Sequence, residues 1–378
     1  MTLIFWLLFA LLLYIYFGYP TLAAWLAQLK PRPVTKESVQ PHVTVLIAAF
    51  NEVEHIETTV RNKLAQDYPH DKLQVIVISD GSDDGTDELV MKIAEEDPRV
   101  RLLVQMPRAG KTSALNMAVP EAEGELLLFS DANSVYKSDA IAQLVKNFAD
   151  PEVGYVTGQM IYGNPESSMT GEGCSAYMKY ENALRQWETE IGSVVGVDGG
   201  IDCMRRALYQ PMNADQLPDF VQPLKVVEQG YRVVYEAAAL LGEDALDDSG
   251  REYRMRVRVG LRALWGLWDM RQLFDTRRDA LFSWQLFSHK LLRYLAFIPQ
   301  LLLLLVNFPL ALQSSFFTLV LLLQLAFYGL AMVGYYRPGS SALISIPYYF
   351  TLINLASAHA FLRFAKGEKV VLWKPRVG

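Results

Sequence analysis

The sequence predicts an α/β protein with a mostly parallel, doubly wound sheet at its centre and apolar helices towards both ends. Three observations carry this. From residue 43 to residue 148, short apolar runs alternate with helical patterns, the rhythm of β-α-β units. Residues 1–29 and 294–336 hold no charged side chain, and 338–362 hold only His359 among titratable groups other than tyrosine; uncharged stretches above roughly 18 residues read as membrane spans. Finally, Asp131-Ala132-Asn133 closes the apolar run Leu126–Phe129, and a carboxylate emerging from a buried strand can hold a divalent cation against a diphosphate.

The chain has 378 residues, 51% of them hydrophobic and 20% charged, with a formal net charge of -6. That length can bury a sizeable core and allows two or three domains. The first apolar stretch lacks the basic start and small-residue cleavage site of a signal peptide and is read as a retained span. The uncharged residues 294–336 suffice for two helices joined near Asn307–Ser315, giving one span before the central block and three after it. Lys30, Arg32 and Lys36 follow the first span, and Lys290 and Arg293 precede the second. The positive-inside rule therefore puts the central block in the cytoplasm of a multi-pass plasma (inner) membrane protein. Three later spans would carry Arg363, Lys366, Lys369, Lys374 and Arg376 outside, against that rule. Either the third or fourth segment is partly re-entrant, or the tail breaks the bias. The expected organisation is a first span over 1–29, an α/β domain over 42–250, amphipathic interface helices over 251–290, further spans over 291–362 and a basic tail over 363–378.

The linker from Pro31-Arg32-Pro33 to Pro41 separates the first span from the central block. Val43–Phe50 is a continuous apolar run suited to a strand buried on both faces. Helix is expected over Asn51–Gln66, strand over Leu73–Ser79, helix over Thr86–Glu96, strand over Val100–Gln105, helix over Thr112–Ala118, strand over Glu125–Ser130 and helix over Asp139–Phe148. A second part, roughly 155–250, holds the helical stretch Ser167–Glu190, the loop Val197-Asp198-Gly199-Gly200, and a helix opening at Leu217-Pro218-Asp219-Phe220-Val221 and running to Gly230. Ligands of such sheets bind at the carboxyl ends of the strands, where Asn51-Glu52, Asp80-Gly81-Ser82 and Asp131-Ala132-Asn133 converge.

Each motif has a plainer reading. Ser79 to Thr86 could be an ordinary acidic turn, but its place beside the first strand's end favours a nucleotide contact by Asp80. Asp131 and Asn133 offer oxygen donors to one site, which suits Mg2+ or Mn2+. Gly110-Lys111-Thr112 looks like the end of a phosphate-binding loop, but Gln105 stands where the pattern needs glycine, which excludes a P-loop triphosphatase. Lys111 can still approach a nucleotide. Asp219 either complements a helix start or acts as a general base on an acceptor hydroxyl. The histidines form no pair, and Cys174 and Cys203 are read as packing residues. Residues 251–293 carry a net +6, leaving -12 for the remainder. Arg251, Arg254, Arg258 and Arg262 follow helical spacing, as in an amphipathic helix on anionic headgroups; alternatively one or two of these arginines turn inward to a diphosphate.

Taken together, these residues resemble the family 2 glycosyltransferases, and in particular the membrane-embedded synthases that make hyaluronan, chitin and cellulose. The resemblance covers roughly 42–265. It rests on Ala48-Ala49-Phe50-Asn51-Glu52, Ser79-Asp80-Gly81-Ser82, Gly110-Lys111 with Ala114-Leu115-Asn116, Asp131-Ala132-Asn133, Val197-Asp198-Gly199-Gly200 with Arg205-Arg206, and Asp219 in Pro-Asp-Phe-Val. It implies a GT-A fold with about four transmembrane helices, and a nucleotide-diphosphate sugar donor, most often UDP-linked. Ala48, Asn51, Glu52 and Asp80 would line the nucleotide pocket with Lys111 nearby. Asp131 would bind donor and Mg2+ or Mn2+, with Asn133 where many relatives carry a second aspartate. Gly199 and Gly200 would meet the acceptor, and Asp219 would be the catalytic base. Met255-Arg256-Val257-Arg258-Val259 falls where processive synthases carry Gln-(Gln/Arg)-x-Arg-Trp. Arg256 and Arg258 keep the arginine positions and would bind the donor, while Val259 in place of tryptophan counts against processive polymerisation. The expected partners are the donor, a glycan or lipid-linked acceptor, membrane lipids and components of glycan export, with no nucleic acid. Transfer of one sugar to a polyprenyl phosphate and a non-catalytic export scaffold are the alternatives.

Overall fold

The computed structural model describes residues 1–162, 169–243, 249–336 and 341–372. The chain divides into two compact units. A sheet unit comprises Lys30–Ile161, Arg185–Glu243 and Val370–Gly378, and a helical unit comprises Met1–Leu29, Tyr162–Leu184 and Asp244–Lys369.

The sheet unit is built on eight strands: β1 Val43–Ala49, β2 Leu73–Ser79, β3 Val100–Val104, β4 Leu126–Asp131, β5 Val135–Tyr136, β6 Val153–Tyr162, β7 Ile201–Arg205 and β8 Arg232–Glu243. Their order is β3-β2-β1-β4-β7-β6-β8-β5. All seven residues of β1 are buried, as expected of a central parallel strand covered on both faces. Its Leu46 and Ala48 share one core cluster with Ile76, Ile78, Leu115, Leu127 and Phe129. The expectation of a mostly parallel sheet is corrected. The pairings among β1 to β4 are parallel, whereas β7 pairs antiparallel with β4 and β6, and β5 pairs antiparallel with β8. The parallel half coincides with the stretch where strand and helix alternate at short intervals. Beyond it the alternation gives way to long strands and turns, and period alone does not encode strand direction.

Register aligns the strand ends. Ala48 lies opposite Asp131, Ala49 opposite Ser79, and Ser79 opposite Val104. The helix after β1 starts at Ile56 rather than Asn51. Asn51 takes a φ of 54°, and the backbone N–H groups of Asn51, Glu52 and Val53 donate to Ser82, Thr86 and Asp84 at 3.0–3.1 Å. Those side chains hold the segment in a turn, which delays the helix.

In the helical unit, Thr2–Leu29 and Ser315–Tyr336 are long and apolar enough to cross a bilayer. The pair Ala280–Tyr294 and Phe297–Ala311, bent by 57°, would add a third if it forms one span. The expected four spans are therefore not reached among the described residues. Helix Ala342–Ala365 has the length, but Ser345, Asn354, Ser357 and His359 dilute its apolar character. Polar side chains join these helices. The Trp284 indole donates to Tyr14 at 2.8 Å, and Gln300 donates to both Tyr16 and Asn354. Glu181 is buried among His289, Lys290 and Arg293. The arginine stripe of helix Ser249–Asp269 departs from a simple headgroup-facing surface: Arg251 and Arg254 are exposed, but Arg262 is buried. Cys203 is a buried free thiol; the side chain of Cys174, with Ser167, Lys374 and Arg376, lies outside the described residues.

One buried ion pair fixes the 197–200 loop to the sheet unit. Arg185 and Asp198 meet at 2.7 Å, with side chains only 6% and 3% exposed. Removing one partner of such a pair strands the other charge in a low dielectric. Asp198→Asn should therefore cost about 3 kcal/mol of stability. A smaller loss for the Arg185→Met, Asp198→Leu double variant, measured by denaturant unfolding, identifies the stranded charge as the cause.

Candidate active site

The site forms at the shared carboxyl edge of β1, β2 and β4. Asn51, held by its positive φ, exchanges hydrogen bonds with Asp83: its amide nitrogen donates to the carboxylate at 2.8 Å and its carbonyl accepts from the Asp83 N–H at 3.0 Å. This stitches the end of β1 to the turn after β2. Ala48 is buried directly under that edge, and Glu52 lies half-buried on the turn. Asp80 is fully buried, and its oxygens accept from Gln105 at 2.5 Å, Arg108 at 3.2 Å and the N–H groups of Ala109 and Gly110 at 2.8 and 3.1 Å. Its carboxylate thus organises the 105–110 segment, and it sets the Arg108 guanidinium 3.3 Å over the Phe50 ring.

The turn leaving β4 is clamped from the helix Ile56–Leu64. Thr59 donates to the Ala132 carbonyl at 2.7 Å, and Lys63 donates to the Ser134 carbonyl at 2.6 Å. Asn62 pairs with both backbone groups of Tyr136 at 2.8 Å. Residues i, i+3 and i+4 share one helix face, so three side chains satisfy a turn whose backbone would otherwise lack partners. Lys63 is fully buried, 3.6 Å over the Tyr136 ring. Burial lowers its pKa well below the ordinary lysine value, partly opposed by the Asp131 carboxylate. The Tyr136 hydroxyl crosses to the Gly200 carbonyl at 2.8 Å, tying this turn to the next.

Gly199 and Gly200 let a third segment in. Gly199 has φ +87°, and a Cβ there would lie 2.9 Å from Cγ of Asp219. A Cβ on Gly200 would lie 2.7 Å from Leu241. Only glycines allow this approach. Asp219 sits in the first turn of helix Pro218–Glu228, where the helix dipole favours a negative charge. Lys111, opening helix Lys111–Ala118, reaches both acids: its Nζ lies 2.7 Å from Asp131 Oδ1 and 3.4 Å from Asp219 Oδ1. The three side chains are 18%, 36% and 28% exposed, so the cluster opens to solvent. Burial works against the lysine charge, but the two carboxylates prevail and raise its pKa above the ordinary value.

The structure thus brings Asp131, Lys111, Asp219, Gly199 and Gly200 into one cluster, with Asn133 beside Asp131 in the chain. Asn51, Glu52 and Asp80 sit on the neighbouring strand ends. Arg256 and Arg258 belong to the helical unit. There Arg256 bonds to Glu252 and Tyr349 at 2.8 Å and lies 5.3 Å from the Tyr177 ring.

Sequence reasoning missed Lys63 and Asp202. Nothing in an amphipathic helix marks one lysine as buried. A carboxylate inside the apolar strand Ile201–Arg205 was the available signal for Asp202. Asp202 is fully buried and accepts from the Gly199 N–H at 3.1 Å. Burial pushes its carboxyl up to about 8; nearby Asp219 and Asp198 add to this, while Thr157 and Tyr155 pull the other way.

The donor set fits a hard divalent ion. Asp131 offers carboxylate oxygen, and Asn133, whose amide nitrogen donates to Glu243 at 3.3 Å, offers its carbonyl oxygen. The ammonium against Asp131 shows that this position attracts a cation. Among the described residues no group of three or more His, Cys, Asp or Glu could hold a metal. An ion here would therefore take most ligands from a diphosphate and water, as Mg2+ commonly does.

Residues 44–201 match the sequence model of the family described as Glycosyl transferase family 2. Among curated relatives it is 30% identical over 221 residues to poly-beta-1,6-N-acetyl-D-glucosamine synthase of Staphylococcus aureus, covering 57% of this chain and 53% of that one. It is 29% identical over 181 residues to beta-monoglucosyldiacylglycerol synthase of Trichormus variabilis, covering 47% and 39%. The chain thus spans about half the length of the synthase it matches first. Among solved structures, mannosyltransferase PcManGT from Pyrobaculum calidifontis, in complex with GDP-Man and Mn2+, aligns with a TM-score of 0.73 at 23% identity, covering 97% of this chain and 99% of that one. That likeness establishes a shared fold.

The raised Asp202 carboxyl has a pH signature. The folded state holds a proton that the unfolded state releases near the ordinary Asp value. Stability contributed below that value is lost as pH rises towards the folded pKa near 8, at up to about 1.4 kcal/mol per pH unit. Asp202→Asn keeps the acceptor for Gly199 and should flatten this fall. Unfolding midpoints across about pH 5 to 9 would reveal it.

Proposed function

We propose that the protein is an inverting membrane glycosyltransferase. It would move a sugar from a nucleotide-diphosphate donor, taken as UDP-linked, to a hydroxyl of a growing polysaccharide or surface glycan. The reading rests above all on one observation: Asp131 and Asp219, from separate segments, meet across Lys111 at the carboxyl edge of the parallel strands. A scaffold has no need for two partly exposed acids in that arrangement.

In this reading Asp219 takes the proton of the acceptor hydroxyl as the oxygen bonds to the anomeric carbon. The bond from that carbon to the diphosphate breaks on the opposite face, so configuration inverts and the nucleoside diphosphate leaves. Asp131 and Asn133 would hold a divalent cation, which would offset charge on the leaving diphosphate. Lys111 adds a second positive charge there, and preorganised charge of this kind supplies a large share of catalysis. Base catalysis contributes roughly 10²–10⁴-fold. Asn51, Glu52 and Asp80 would frame the nucleotide, Arg256 and Arg258 would act on the donor, and Gly199 and Gly200 would admit the acceptor. The apolar helices would hold the enzyme in the plasma membrane with the sheet unit cytoplasmic. A second reading, one sugar passed to a lipid acceptor, draws on Val259 in place of tryptophan and on the relative named as a glucosyldiacylglycerol synthase.

The deciding experiment screens UDP-sugars, with GDP-mannose for comparison, for nucleotide release by the purified chain, followed by sizing of the product. A polymer would support the first reading, a single-sugar lipid the second, and no release from any donor would refute both. Asp219→Asn should abolish transfer while UDP binding holds within about threefold, a change under 1 kcal/mol; equal loss of both would make Asp219 structural. EDTA should stop turnover, and Mn2+ should restore it. Gly199→Ala should lower kcat by about 100-fold, the scale expected when a reacting group is displaced by about 1 Å; an unchanged kcat would show that Asp219 tolerates the crowding.

A further inference from the structure

We propose that Lys111 is a resident counter-ion for Asp131 and Asp219 that a divalent cation must displace, so that this side chain adds to the cooperativity between metal and nucleotide. The inference rests on the reading of Asp131 as a metal ligand and goes beyond it.

The geometry makes the competition direct. Lys111 Nζ occupies the space 2.7 Å from Asp131 Oδ1. That is the oxygen type and the distance range at which a charge-assisted bond is strong. The same ammonium lies 3.4 Å from Asp219 Oδ1, so one cation touches two carboxylates in a cluster less than half exposed. A divalent ion arriving at Asp131 meets a like charge already in contact with its ligand. Like charges a few ångströms apart repel strongly at a partly shielded site. The ion can bind well only if the ammonium finds another anion.

A diphosphate supplies that anion. Lys111 hangs on four methylenes from the first turn of its helix, and an ammonium is a mobile point charge with three donors. Transfer of its bonds to a phosphate oxygen would free Asp131 for the ion. It would also withdraw the positive charge that shields Asp219 before any acceptor arrives. Metal without nucleotide is then disfavoured by Lys111, and metal with nucleotide is favoured by it. That difference is a coupling free energy between the two ligands, and it must act equally in both directions.

The test reads Mn2+ binding rather than turnover. Free Mn2+ is followed by electron paramagnetic resonance in titrations of the full chain in nanodiscs, with and without UDP, after correction for Mn2+–UDP binding in solution. In the unaltered protein, saturating UDP should tighten Mn2+ binding by about 10-fold, within the usual span of coupling between sites. Lys111→Met and, as a second neutral replacement, Lys111→Gln should tighten Mn2+ binding without UDP several-fold and shrink the UDP effect by the same factor, leaving the part that direct ligation by the diphosphate supplies. Lys111→Arg, which keeps the charge, should retain weak Mn2+ binding. Unchanged or weaker UDP-free binding in a folded neutral variant would overturn the proposal. Mn2+ binding that persists in Asp131→Asn would overturn it too, by placing the ion elsewhere. Failure of the functional reading has a different mark: no nucleotide release from any donor by the unaltered protein.

Discussion

The site depends on how the turn after β4 is satisfied. A chain leaving a sheet beside its central strand exposes carbonyl and N–H groups in a place where water is scarce, and unmet groups there are costly. Helix Ile56–Leu64 answers with Thr59, Asn62 and Lys63, and Tyr136 answers from within the turn. The turn is held by these side chains as well as by the short pairing of β5 with β8, and Asp131 and Asn133 stay partly exposed. The arrangement assigns the rigid role to a helix far away in sequence, about 70 residues before the turn it supports.

The glycine pair completes the same logic from the opposite direction. Register places Ile201 opposite Ser130 and Asp202 opposite Phe129, so the residues just before β7 meet the residues just after β4. With any larger side chain at Gly199 the approach of Asp219 would close. Two acids at such range need a cation between them, and Lys111 provides it. Burial pushes the Asp202 carboxyl up to about 8, and the nearby Asp219 charge adds to this, so a third negative charge is disfavoured there.

Much of this was legible in the sequence, and the limits have physical causes. β1, β2 and β4 were readable because both-face burial leaves an unbroken apolar run, and the polar residues closing those runs marked the strand ends. Asp131, Asp219 and Lys111 were singled out individually from motif and spacing, yet their meeting depends on register and on two glycines, which no local pattern encodes. Strand direction beyond β4 was misread for the same reason. The helix after β1 was placed five residues early because its delay comes from Ser82, Asp84 and Thr86, more than 25 residues away. Lys63 was invisible, since a lysine in an amphipathic helix ordinarily faces water. Asp80 was readable as a strand-end acid, but its engagement with the 105–110 segment follows from tertiary packing alone.

The polar contacts inside the helical unit bear on how the chain is made. Tyr14 and Tyr16 are made before any of their polar partners. Their partners Trp284, Ser288, Gln300 and Asn354 follow hundreds of residues later. Until then the two phenols must find temporary donors or acceptors, and a hydroxyl stranded among hydrocarbon is costly. The polar contacts of helix residues 14 and 16 are thus completed only by residues 284 to 354. Helix Ala342–Ala365 supplies Asn354, so the hydrogen bond that Tyr16 donates waits on a residue made 338 positions later.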